Sequence, residues 1–139
     1  MFKKEKPRIR VFSLADLAQQ LVGGFLLSGP FVVTEEVWAL ANNLHWYQSL
    51  LATLIVFSIG YGALYEADVD REQKDEAEWM GIPLRFLSLI FVSYASVTLL
   101  ILIFGATVTF GATLFTAVKV VSIVSLFSVI GAATADSLF

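Results

Sequence analysis

Residues 82–104 read IPLRFLSLIFVSYASVTLLILIF, a run of 23 residues whose one charge, Arg85, lies near its start. A bilayer hydrocarbon core about 30 Å thick is crossed by about 20 apolar residues of α-helix, so this run is read as a transmembrane span. Pro83 stands at the opening of the helix, where the N–H it lacks would have had no intrahelical partner.

Three neighbouring segments follow the same pattern. Residues 113–135 carry one lysine, Lys119, near an end, where its long stem can carry the ammonium to the interface. Residues 47–65, YQSLLATLIVFSIGYGALY, have aromatic rings at both ends, as expected of side chains that settle at headgroup level. The fourth segment, 14–41, is interrupted. Pro30 removes a hydrogen bond to the carbonyl of Leu26 and Gly29 eases bending, so this helix is expected to break at Gly29-Pro30. The expected fold is all-α: a polytopic membrane protein of four transmembrane helices with the first one broken.

Composition agrees. Of 139 residues, 58% are hydrophobic and 15% charged, with a mean hydropathy of +0.79; soluble domains carry roughly 25% charged residues. No polar stretch is long enough for a soluble domain, so residues 1–139 are taken as a single membrane domain. The absence of cysteine excludes disulfides, thiolate chemistry and cysteine-held metal. The basic tail 1–12 contains Lys3, Lys4, Lys6, Arg8 and Arg10, whereas the connections 42–46 and 105–112 contain neither lysine nor arginine. The positive-inside rule then makes the tail cytoplasmic and, with four spans, both termini cytoplasmic in a multi-pass cell-membrane protein. The connection 66–81, EADVDREQKDEAEWMG, is an acidic cytoplasmic loop. Its Asp68, Asp70 and Glu72 have a calcium-loop spacing, but Gln73 stands for the turn glycine and Trp79 for the bidentate glutamate, so it is read as solvated. The repeated FGAT at 104–107 and 110–113 is read as turn chemistry.

Function is sought at the broken helix. After Pro30 the chain continues FVVTEEVW, in which Thr34 is placed as an N-cap and Glu35 and Glu36 fall in the first turn of a restarted helix. Two readings follow from the depth of the glutamates. If the first helix starts near Ser13, Glu35 lies about 33 Å along it, at the far boundary, and the carboxylates are solvated caps. If the span is centred on Phe31, they lie about 6–8 Å from the midplane, where a carboxylate needs a partner, water or a bound cation. In that case Glu35, Glu36 and Thr34, with loosened carbonyls, make an oxygen site for Ca²⁺ or a monovalent cation. Gln20, Gly24 and Trp38 share the Glu35 face at helical spacing and are candidate pore-lining residues. Neighbouring residues on a helix point about 100° apart, so a carboxylate ring needs several copies of the chain, hence an expected homo-oligomer.

Lys119 falls in the layer of the glutamates and is the candidate counter-charge. At the other end, Asp16, Arg85 and Asp136 fall in one layer as a candidate inner gate. His45, beside Trp46 and Tyr47, reads as an interfacial anchor. The serines 88, 93, 96, 122, 125 and 128 give the third and fourth helices small polar faces for packing, and secondarily for lining a pore. No nucleophile and base pair, phosphate loop or metalloprotease motif occurs, so the chain is not expected to be an enzyme or to need a cofactor. The partner expected is the lipid bilayer, with no nucleic acid.

The pentapeptide Thr34 to Trp38, TEEVW, is similar to the Thr-x-Glu-x-Trp filter of voltage-gated sodium and calcium channels, which implies a filter role for Glu36. The runs QQLVGGFLLSGPFVVTEEVW, IVFSIGYGALYEAD and GIPLRFLSLIFVSYASVTLL together resemble an uncharacterised family of integral membrane proteins of archaea and bacteria. That resemblance covers most of the chain and implies a multi-span membrane protein with no activity attached. A cation channel or transporter is the leading expectation. The alternative is a non-transporting structural or regulatory subunit that binds a partner through 66–81.

Overall fold

The computed structural model describes residues 13–66, 78–79 and 82–138. The basic tail and the bulk of the acidic connection, 67–77 and 80–81, lie outside these residues, and with them the partner-binding reading of that loop.

Helix α1, Leu14–Val32, opens on a capping box: the Ser13 hydroxyl accepts the Asp16 N–H at 3.3 Å and the Asp16 carboxylate accepts the Ser13 N–H at 3.0 Å. The helix runs through Pro30 and ends two residues later, so the break lies at Val33-Thr34 and not at the Gly29-Pro30 pair itself. One missing N–H leaves the rest of a transmembrane helix's bonds intact, and surrounding protein can satisfy the freed carbonyl. Helix α2, Glu35–Asn42, then turns away from α1 by 78°. Nineteen residues of α1 extend about 28 Å at 1.5 Å each, close to the hydrocarbon thickness.

Helix α3, Trp46–Tyr61, runs back and ends in a π-turn at Gly62–Glu66. A two-residue antiparallel ladder, β1 (Glu78–Trp79) with β2 (Ile82–Pro83), precedes α4, Leu84–Phe104. Gly105 caps α4 in the left-handed conformation, φ 62°, which L side chains avoid. After the single turn α5, Ala106–Thr109, comes α6, Leu114–Leu138. Among the described residues three helices are long and apolar enough to cross a membrane alone, and the bent pair α1–α2 makes a fourth span if taken together.

The last helix is the central one. It packs on α1, α2, α3 and α4, with 50% of its span buried against 22% for the α3 span. Its closest neighbour is α1, and two glycines explain the approach. A Cβ on Gly23 would stand 2.1 Å from the Gly131 carbonyl oxygen, and one on Gly131 2.2 Å from the Gly23 oxygen, so only backbone fits at the crossing. Above it, the rings of Phe31 and Phe127 stack at 4.1 Å. Outward faces carry Leu26, Phe91, Leu102, Ile103 and Val118, apolar side chains exposed as a lipid-facing surface requires.

Candidate functional site

Where α1 and α4 begin and α6 ends, the inner-layer residues meet. Arg85 Nη1 donates to Asp136 Oδ1 at 2.8 Å and Nη2 to Asp16 Oδ2 at 3.2 Å. Asp136 is fully buried and Arg85 nearly so, while Asp16 keeps partial access at 21%. Gln20, one turn along from Asp16, completes the cluster. Its Nε2 donates to Asp136 Oδ2 at 3.1 Å, and its Oε1 accepts the Ser88 hydroxyl at 2.7 Å. An ion pair taken out of water is tolerated when its remaining lone pairs and N–H groups also find partners, and the amide and hydroxyl supply them here.

Going up the bundle from this face, α1, α4 and α6 keep small polar residues towards one another. Ser128 donates to the Gly24 carbonyl at 3.2 Å, and a Cβ on Gly24 would meet the Ser96 and Ser128 hydroxyls at 3.0 and 3.1 Å. Ser93 donates to Leu89 of its own helix at 2.7 Å. The hydroxyls of Ser28, Ser96 and Ser125 are fully buried and make no hydrogen bond among the described residues. Beyond them the seam turns apolar, with Val32, Val97, Val120 and Val124 buried together.

At the opposite face lies the break. Its loosened carbonyls are occupied: Thr34 Oγ1 donates to the Phe31 carbonyl at 3.0 Å, and the Trp38 indole N–H to the Val32 carbonyl at 2.8 Å. Thr34 thus occupies the N-cap position of α2 with extended backbone, yet its hydroxyl bonds backwards into α1 and makes no cap to α2. Trp38 is buried and its ring stacks on Phe110 at 5.4 Å. Glu35 and Glu36 are both exposed. Glu35 lines a cleft of about 270 Å³ with Trp38, Asn42, Thr109, Gly111 and Thr116, a size just below that of typical small-ligand sites. Thr116 donates to Asn42 Oδ1 at its floor, a long bond of 3.5 Å. Among the described residues no group of three or more acidic or histidine side chains is arranged to hold a metal ion, so Glu35 and Glu36 stand as an adjacent pair without a third carboxylate.

The remaining expected residues fall in other places. Gln20 sits with Asp136, at the far end of the bundle from Glu35, and Gly24 lies at the serine seam; of the three candidate lining residues only Trp38 reaches the glutamate cleft. Lys119 does not neutralise the glutamates. Its ammonium donates to the Leu44 carbonyl and lies over the Phe115 ring, 4.5 Å from the centroid, and no carboxylate is within ion-pair distance of it among the described residues. His45 precedes α3, its ring stacked on Tyr47 at 5.2 Å. The sequence reading did not join Ser28 to the serines of α4 and α6. The signal was present, since Gln20, Gly24 and Ser28 recur at four-residue steps on one face of α1.

A helical bundle with Arg85, Asp136 and a seam of serine hydroxyls inside and apolar side chains outside is that of an all-α polytopic integral membrane protein. Residues 3–138 match the family described as "Putative integral membrane protein (DUF2391)", and the chain belongs to that family. No curated protein and no solved structure matches it.

Proposed function

We propose that the chain moves cations across the cell membrane, as a channel or transporter, along the seam between α1, α4 and α6. Glu35 guards one mouth, and Asp16, Arg85 and Asp136 close the other. The observation that carries this reading is the inside-out burial of Gln20, Ser28, Ser96, Ser125, Ser128 and Asp136 among helices whose outer faces are apolar. Polar groups inside a spanning bundle cost free energy unless they find partners or water, which is why they mark ion and proton paths. Ser28, Ser96 and Ser125 keep hydroxyls for water or a passing ion. The apolar layer of Val32, Val97, Val120 and Val124 separates them from the Glu35 cleft and acts as a dewetted closure.

Hydroxyls, carbonyls and one amide line the seam, with carboxylates at its two ends. That donor set favours a proton or a monovalent cation over Ca²⁺, which takes six to eight oxygens, carboxylates prominent among them. The seam lies within one bundle, so a shared-axis ring of Glu35 or Glu36 is not required. The expected homo-oligomer is then an assembly of separate paths. Both termini face the cytoplasm in this proposal, putting the aspartate and arginine cluster on the inside.

The test is ion-selective flux from proteoliposomes under a K⁺, Na⁺ or proton gradient. Glu35→Gln and Ser28→Ala are expected to cut flux about tenfold, the size of a 1.4 kcal/mol barrier change, with the purified proteins unchanged in size and helix content. Wild-type flux no greater than that of empty liposomes, or unchanged flux in both variants, overturns the proposal.

A further inference from the structure

Lys119 lies outside the seam, in a groove on the lipid-facing side of the bundle between α3 and α6. The groove encloses about 290 Å³ and is lined by Trp46, Ser49, Leu50, Thr53, Phe115, Val118, Lys119 and Ser122, large enough for part of a chain-like ligand. Lys119 lies one and a half turns into α6, and Trp46 opens α3 and is two-thirds exposed. An indole at that position marks the headgroup level, so the lysine stands just beneath it. One of its three N–H groups goes to the Leu44 carbonyl and one lies against the Phe115 ring, leaving the third without an acceptor among the described residues. The Ser49 hydroxyl in the same wall is buried and has no hydrogen-bond partner among the described residues.

We propose that this groove binds an anionic phospholipid of the leaflet on the Glu35 side. The phosphate accepts from Lys119 Nζ and the Ser49 hydroxyl, and an acyl chain lies along Leu50, Phe115 and Val118. Two observations select this occupant. A largely buried ammonium with no carboxylate partner among the described residues calls for an anion, since an unbalanced charge at membrane depth is costly. The Thr53 and Ser122 hydroxyls donate to carbonyls of their own helices, and the remaining wall is apolar and opens towards the lipid, so an anion that brings its own hydrocarbon fills both halves. A soluble anion would satisfy the ammonium and leave Leu50 and Val118 bare.

Native mass spectrometry of the detergent-purified chain with equal amounts of phosphatidylglycerol and phosphatidylcholine tests this. Wild type is expected to retain phosphatidylglycerol at least threefold over phosphatidylcholine, Lys119→Arg to keep that preference, and Lys119→Met to lose it. Millimolar inorganic phosphate is expected to leave the lipid adducts in place. Equal retention of the two lipids by wild type, a preference undiminished in Lys119→Met, or displacement by inorganic phosphate each overturns the proposal. The wild-type and Lys119→Arg arms decide the matter even if Lys119→Met does not fold.

Discussion

The Trp38 indole N–H donates to the carbonyl of Val32 across the break in the first span, at 2.8 Å. Val32 is the last residue of α1, and Trp38 is in the first full turn of α2, so one side chain both satisfies a terminal carbonyl and holds the 78° angle between the helices.

Trp38→Phe keeps an aromatic ring against Phe110 and deletes the N–H. A buried carbonyl left without its donor costs about 1–3 kcal/mol. The variant is expected to melt several degrees below wild type in detergent, and amide hydrogen exchange is expected to rise at 33–36 while α6 stays protected. Unchanged exchange in that segment would show that the bend holds itself.

The Gly23 and Gly131 crossing gives a second expectation. Ala at either position places a methyl group on the opposing backbone, where no flexible side chain can move aside, and overpacking of this kind costs typically 1–3 kcal/mol. Gly62→Ala is the control, because a Cβ there meets nothing within 4 Å. Thermal unfolding should rank Gly62→Ala near wild type and both crossing variants well below it. Equal melting of all three would contradict the contact.

Among the described residues Arg85 serves Asp136 and Asp16, whereas Asp136→Asn retains a side chain that Arg85 and Gln20 can still engage. Removing one partner of a buried pair costs about 3–5 kcal/mol when it strands a charge. Arg85→Met is therefore expected to lower the melting temperature more than Asp136→Asn, and adding Asp136→Asn to Arg85→Met to recover part of the loss. An additive double variant would mean that the pair is not energetically coupled.

The parts of this structure that hydropathy and helical rise reach were legible in the sequence, and the parts that depend on azimuth were not. Rise per residue places Asp16, Arg85 and Asp136 at one height, and they meet because α1, α4 and α6 happen to turn those faces together. The same counting puts Lys119 at the height of Glu35 and Glu36, yet Lys119 faces Leu44 and α3. Height along a span follows from the sequence; the direction a residue faces is settled by which helices pack on which, and here by two glycines. Pro30 is a parallel case. It signals a weak point, but the break falls three residues on, where the Trp38 indole and the Thr34 hydroxyl donate to the carbonyls that the end of α1 leaves free. The four apolar segments and the interrupted first span, by contrast, were plain from composition alone.

The central position of α6 has a consequence for the order in which the protein is made. The first helix finds its closest partner in the last, and Gln20 meets Asp136 across 116 residues of chain. During synthesis α1 and α4 can already pair Arg85 with Asp16 and Gln20 with Ser88, but Asp136, Ser125 and Ser128 join them only with the 25 residues of α6. Contacts so distant in sequence form late, so this bundle can close only once α6 has been made. A chain that stalls ahead of α6 leaves Arg85 without Asp136 and the Gly23 face of α1 without the backbone it packs on.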